Sequence, residues 1–286
     1  MAGEELLRDG LTVAVGVASG MLSAVAGVGG AVVSTPGIRA LGASAYVAVG
    51  TTLPSILPGA VSGSLRYRRE SLIDWGLVAL VAPAGTVATI AGSLLSHAVP
   101  GRGHLLMLAT AALLAVTAVR TGLGRGGPDG LGGGTLPGPP APAADRGRPA
   151  PNPPGGRMAA GSRRPRSALA VGAAAGVLSG LLGVGGGIIL VPGFSELLGL
   201  PLKSAIATSL VCVGILAIPG TVAHALLGDI DWRFAALLAV GVVPGARLGA
   251  AITVRIPERR LRLGLGLLLG LVAVGYAAGE LHALLG

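Results

Sequence analysis

Gly27-Val28-Gly29-Gly30, with Pro36-Gly37 shortly after it, recurs as Gly183-Val184-Gly185-Gly186-Gly187 with Pro192-Gly193, each time inside a long apolar stretch. Glycine and proline are the residues that interrupt helices. At membrane depth an interrupted helix is tolerated only where it lines a cavity or is buried in protein. Two such breaks, one per half of the chain, are the sequence sign of a site at a repeat interface.

The surrounding composition fixes the class. The chain has 286 residues, 52% of them hydrophobic and 12% charged, and its mean hydropathy is +0.78. A soluble domain carries about 25% charged residues. Apolar stretches long enough to suggest membrane spans occur around 11–35, 43–65, 72–95, 104–121, 168–194, 204–227, 233–254 and 262–283. The expected fold class is therefore all-α, a polytopic protein of the plasma membrane with the lipid bilayer as its solvent. Aromatic residues make up only 2%, so Ala, Gly, Leu and Val build the helices. Small residues let helices approach closely in lipid.

The formal charge of +9 does not indicate nucleic acid. The basic residues are almost all Arg and lie between apolar stretches, as in cytoplasmic loops, with no basic face or interleaved aromatics. The single Cys212 excludes an internal disulfide and any cysteine-based metal site. Ala24-Val25-Ala26 resembles a signal cleavage site, but Glu4, Glu5, Arg8 and Asp9 give a net negative start, wrong for a signal peptide. The first apolar segment is expected to be retained.

Residues 122–157 contain 12 Gly and 9 Pro, too little apolar surface to offset the entropy of ordering. The expected organisation is a tail at 1–10, a first membrane repeat at 11–121, a disordered linker at 122–167 and a second repeat at 168–286. The repeats align. At an offset of 156, Gly16 matches Gly172, Gly20 matches Gly176, and Leu22-Ser23 match Leu178-Ser179. After a slip of one, Thr51 matches Thr208, Gly63 matches Gly220, and Ile73-Asp74-Trp75 match Ile230-Asp231-Trp232. This is an internal duplication.

Lys and Arg counts decide the orientation of the halves, because cytoplasmic loops hold the excess. Four crossings per half make the repeats parallel and split the basic residues 13 to 7, a preference that reverses to 5 against 7 without the linker. If each Gly-rich segment folds back, every half crosses an odd number of times. The split becomes 16 to 4, and stays 8 to 4 without the linker. Inverted repeats with both termini outside the cytoplasm are expected.

The doubled Gly-Val-Gly-Gly motif with its Pro-Gly, the pairs Thr51-Thr52 and Thr208-Ser209, and the Asp-Trp after the next span resemble the sulfite exporter TauE/SafE family of membrane permeases. The likeness covers about 11–121 and 168–283. It implies a secondary transporter moving small sulfur-containing anions such as sulfite, sulfonates or sulfoacetate across the plasma membrane, with export the expected direction. Uptake of another sulfur compound or a carboxylate is one rival. A non-transporting scaffold is another, although it would have no need of two symmetric breaks.

A sulfur oxyanion needs hydrogen-bond donors and positive potential without a permanently trapped charge. A helix N-terminus offers free N–H groups and a partial charge on the order of +0.5. Gly29, Gly30 and Ala31, and Gly185, Gly186 and Gly187, are the residues expected to open half-helices there, with glycine allowing close approach to the backbone. Thr51, Thr52, Thr208 and Ser209 supply hydroxyls one helix away; alternatively they bond the carbonyl one turn back and bend their helices. Arg247, the one basic residue well inside an expected span, either attracts the anion or snorkels to the cytoplasmic face. His224, matched by Tyr67, is expected near the interface rather than in proton coupling, and Trp75 and Trp232 as interfacial anchors. Cys212, at the repeat position of Ser55, reads as packing. No paired carboxylates, catalytic triad or metal-ligand cluster stands in the sequence, so neither an enzyme, a metal nor a cofactor is expected. With no nucleotide-binding domain read in the chain, energy is expected from a coupling ion, from the substrate gradient itself, or from a partner.

Overall fold

A computed structural model describes residues 2–96, 104–123, 165–183 and 185–285. Among them every regular element is helical. The first half holds α1 (Ala2–Ala26), α2 (Ala31–Ala40), α3 (Ala45–Arg69), α4 (Trp75–Ser96) and α5 (His104–Leu123). The second holds α6 (Pro165–Leu182), α7 (Gly187–Pro192, continued by a π-helical turn over Gly193–Leu197), α8 (Leu202–Leu227), α9 (Trp232–Arg255) and α10 (Glu258–Leu285). The expected linker at 122–167 lies mostly outside the described residues, but α5 and α6 take in its two ends. By length and hydropathy, α1, α4, α6, α8 and α9 each suffice to cross a membrane.

Two of the eight apolar stretches do not run straight. In 11–35 the chain turns at the glycines and α2 returns along α1, so that Gly30 packs on Ser19 and Gly37 on Val15. In 168–194, α7 returns along α6, with Gly186 on Ala175 and Gly193 on Val171. Each stretch is thus a helical hairpin rather than one straight helix.

The halves exchange partners. α1 lies parallel to α9, and α6 parallel to α4. Glycines spaced four apart make this contact close. Gly16 and Gly20 of α1 face the Leu238 and Val242 carbonyls, while Gly241, Gly245 and Gly249 of α9 face those of Val13, Val17 and Met21. Gly172, Gly176 and Gly180 of α6 meet α4 at Val81, Gly85 and Thr89 in the same way. In lipid, where apolar side chains gain little from meeting one another, such backbone-to-backbone approach is the main source of helix association.

At the centre, α3 and its repeat counterpart α8 run antiparallel, Gly63 beside Leu210, Ala60 beside Gly214 and Leu53 beside Gly220. Leu53, Leu210, Val213 and Leu216 are fully buried in this core. α5 packs on α10. The doubled Asp-Trp begins α4 and α9. Asp231 caps α9 by accepting from the Arg233 and Phe234 N–H groups at 2.9 and 3.2 Å, and Asp74 accepts from the Leu77 N–H at 3.1 Å.

Candidate functional site

The two breaks meet. Gly187 lies directly against the Gly27 carbonyl and the Val28 backbone, with no room for a Cβ, and Gly185 faces the Gly29 Cα. Glycine is required for conformation as well as space. Gly27, Gly29, Gly183, Gly185 and Gly186 have φ of +66°, +85°, +66°, +82° and +70°, a region that costs other residues roughly 1–2 kcal/mol. Gly29, Gly30, Ala31, Gly185, Gly186 and Gly187 are all buried; Val184 lies outside the described residues. Because α2 and α7 open just past the breaks, the first-turn N–H groups of Ala31 and Gly187 have no partner four residues back in their own helices. Both positive helix ends therefore converge on one buried place.

Four hydroxyls tie this place together, each across the halves. Ser209 Oγ donates to the Gly27 carbonyl at 2.7 Å. Its counterpart Thr52 donates to the Val49 carbonyl at 2.9 Å and reaches the Gly183 carbonyl at 3.4 Å. Thr51 Oγ1 accepts from the Asp231 N–H at 2.9 Å, and Thr208 Oγ1 from the Asp74 N–H at 3.0 Å. Bonding one turn back describes part of what Thr52 does; the other three hold breaks and inter-helix loops of the opposite half.

Three further hydroxyls lie here that the repeat pattern does not reveal. Ser19 Oγ donates to the Gly30 carbonyl at 2.6 Å, Ser34 Oγ to the same oxygen at 3.2 Å, and Thr35 Oγ1 lies 3.4 Å from Thr52 Oγ1. Their counterparts are Ala175, Leu190 and Val191. At these three positions the first hairpin therefore carries hydroxyls and the second apolar side chains. A search for polar residues present in only one half would have found them.

The sulfite exporter TauE/SafE family model matches residues 12–276, both hairpins and all four clamping hydroxyls included. The chain belongs to this family. It is 38% identical over 84 residues to a probable membrane transporter protein, YunE, of Bacillus subtilis, covering 29% of this chain and 31% of that one. It is 36% identical over 113 residues to a probable membrane transporter protein of Xylella fastidiosa strain Temecula1, covering 39% and 43%. With the strain 9a5c protein of the same name the identity is 25% over 243 residues, covering 84% and 82%. The matches thus span less than half of the first two relatives and most of the third. No solved structure matches the chain. As a TauE/SafE member with several membrane-spanning helices, the protein is a multi-pass membrane protein of a transporter family.

The remaining candidates of this TauE/SafE chain fall elsewhere. Arg247 is exposed on α9, while Ala246 and Gly249 beside it are buried; the α9 face packed on α1 is the glycine face, and Arg247 is not brought to the breaks. Trp75 and Trp232 are exposed at the first positions of α4 and α9. Cys212 is a buried core residue, and Ser55 donates to the Thr52 carbonyl. His224, in the last turn of α8, is fully buried by protein. Its Nδ1 lies 2.9 Å from Asp229 Oδ2 and its Nε2 3.2 Å from the Gly180 carbonyl. A cavity of about 290 Å³ between α3 and α8 is walled mostly by apolar side chains such as Leu57, Ala60, Val211 and Ile215, with Ser64, Arg68 and Trp75 the donor-bearing residues of its lining.

Proposed function

We propose that this protein is a secondary transporter that exports small sulfur-containing anions, the sulfite and sulfonate class, through a midplane site between the two glycine breaks. The observation that carries this reading is the meeting of the breaks, where two half-helix N-termini and glycine backbone converge in a buried place held by Thr51, Thr52, Thr208 and Ser209. An oxyanion entering it would meet the N–H groups of Gly29, Gly30, Ala31, Gly185, Gly186 and Gly187 and no fixed counter-charge, so that it binds and also leaves. Export is the direction in the family's name.

We further infer that the repeats are inverted. Hairpins contribute no net crossing, which leaves α3, α4 and α5, and α8, α9 and α10, as three crossings each. The antiparallel course of α3 and α8 supports a two-fold axis in the membrane plane. Charge contacts agree with the sides this assigns. Lys203 Nζ donates to the Val254 carbonyl at 2.8 Å, beside the Arg255–Arg262 cluster, and Arg233 pairs with Asp9 near the N-terminus at 3.0 Å.

The test is flux in liposomes. Purified protein is reconstituted, and efflux of labelled sulfite, isethionate and sulfoacetate is compared with that of acetate and phosphate. Saturable efflux of the sulfur oxyanions above protein-free vesicles is expected. Equal rates for all five, or rates no higher than in protein-free vesicles, would overturn the assignment.

A further inference from the structure

We propose that His224 and Asp229 form a proton-binding site that couples proton movement to the anion cycle. This rests on the transport reading above and adds the identity of the coupling ion and its residues. The argument begins with hydrogen-bond inventory. Both ring nitrogens of His224 face acceptors, Nδ1 the Asp229 carboxylate and Nε2 the Gly180 carbonyl. A neutral imidazole has one N–H and one lone pair. With a carboxylate opposite, it would set a lone pair against an oxygen at one of the two contacts. Both contacts are satisfied only when the pair holds one additional proton, as imidazolium with carboxylate or as neutral imidazole with a carboxylic acid. The form that satisfies both contacts is thus the proton-loaded, net-neutral pair. Loss of that proton leaves a net charge of −1 and breaks one contact, and a buried acceptor then goes unpaired.

The contact at stake is placed to act on the site. Gly180 lies three residues before Gly183, in the last turn of α6 leading to the second break. The loop carrying Asp229 is held on its other side by α3, through Gly50 packed on the Asp229 backbone and Thr51 bonded to Asp231. A proton leaving or entering the pair therefore changes how the second hairpin is fastened to α3 and α8.

The two halves differ at this point in an informative way. Tyr67, the counterpart of His224, donates to the carbonyl of Ala24, the counterpart of Gly180. Leu72 stands where Asp229 does. Both halves thus share the bond to the hairpin, but only the second builds it from groups that exchange a proton.

Other polar groups lie around the pair, beginning with Thr221 one turn before His224 on α8, whose hydroxyl is buried with no partner among the described residues. α4 contributes Thr89 and Ser93, which meet α6 at Gly180, and α6 contributes Ser179. The Ser93 and Ser179 hydroxyls are buried with no partner among the described residues, which leaves them available to a proton path beside Gly180. α3 carries Tyr46 one turn from Gly50. On the pair's own loop, Asp231 is engaged as the α9 cap, and Arg233 beyond it with Asp9. Among the described residues α6 adds no titratable side chain between Arg166 and the break.

The experiment uses full-length protein in liposomes loaded with a pH-sensitive dye, and isethionate as substrate, whose sulfonate does not titrate. An imposed isethionate gradient is expected to change lumenal pH with the parent protein. The informative variant is the double substitution His224→Tyr, Asp229→Leu, which transplants the first half's arrangement and so keeps a bond to Gly180. It is expected to lose the substrate-driven pH change, down to the level of protein-free vesicles, while still exchanging labelled isethionate at equal pH. His224→Gln should lose the pH change as well. A parent protein that exchanges isethionate without moving protons would overturn the proposal, as would a double variant that still moves them. Absence of any isethionate exchange in the parent, with no flux of the other sulfur oxyanions, would instead count against the transport assignment.

Discussion

Gly186 and Gly30 hold the same repeat position but different backbones, with φ of +70° and −67°. A Cβ at Gly186 would be strained by roughly 1–2 kcal/mol for its left-handed conformation and would also press on the Ala175 backbone. At Gly30, whose φ is in the ordinary right-handed region, it would meet the Ser19 hydroxyl and, at 2.9 Å, the Ser19 carbonyl. Gly186→Ala is therefore expected to lower the thermal midpoint in detergent more than Gly30→Ala and to suppress anion flux, and equal midpoints would contradict the conformational argument. Ser209→Ala removes a buried bond to the Gly27 carbonyl. Side-chain bonds between membrane helices contribute on the order of 1 kcal/mol or less, so a loss of that size is expected, larger than for Thr52→Ala, whose cross-half contact is the longer 3.4 Å. Chemical denaturation of the two variants side by side checks the order. Arg247, exposed on α9, is expected to snorkel. Arg247→Lys should match the parent in the concentration giving half-maximal flux, and Arg247→Ala should differ only in yield.

The glycine stripes on α1, α6 and α9 set how closely elements approach, and they make a prediction of their own. Gly176 faces the Gly85 carbonyl on α4, whereas Gly264 on α10 has open space where a Cβ would go. Gly176→Leu is expected to abolish the monodisperse peak in size-exclusion chromatography, and Gly264→Leu to leave it unchanged; a well-behaved Gly176→Leu protein would mean that α4 and α6 can separate without cost to the fold. Much at this scale was legible beforehand, because glycine breaks, duplication and apolar length are local patterns. The sequence period shows that 11–35 is apolar, but not that α2 turns back along α1, since a break leaves the exit angle undetermined. Nor does it show that α1 seeks α9 instead of a neighbour in its own half, because small-residue spacing fits any partner of like spacing. Ser19, Ser34 and Thr35 were hidden by reading the halves for what they share. That His224 is enclosed by protein could not be read from its place near a helix end, because its partners Asp229 and Gly180 come from the following loop and from α6.

For the whole molecule the question is which way the halves face, and the packing constrains the answer. α3 and α8 occupy the same repeat position, cross the core side by side and point in opposite directions. If both cross the bilayer, the operation exchanging the halves has its axis in the membrane plane. The partner exchanges agree, because α1 parallel to α9 and α4 parallel to α6 are the same contact seen from the two halves. The charges then fall on sides consistent with excess positive charge in the cytoplasm. Arg66, Arg68 and Arg69 end α3 at the end where Lys203 begins α8 and the Arg255–Arg262 run follows α9, whereas Arg8 and Arg233 lie at the other end with Asp9. Reporter fusions after Gly130 and after Gly286 are expected to give opposite sides of the membrane, the first cytoplasmic and the second not. The same side for both would require an even number of crossings in the second half, with one of the hairpins spanning the bilayer.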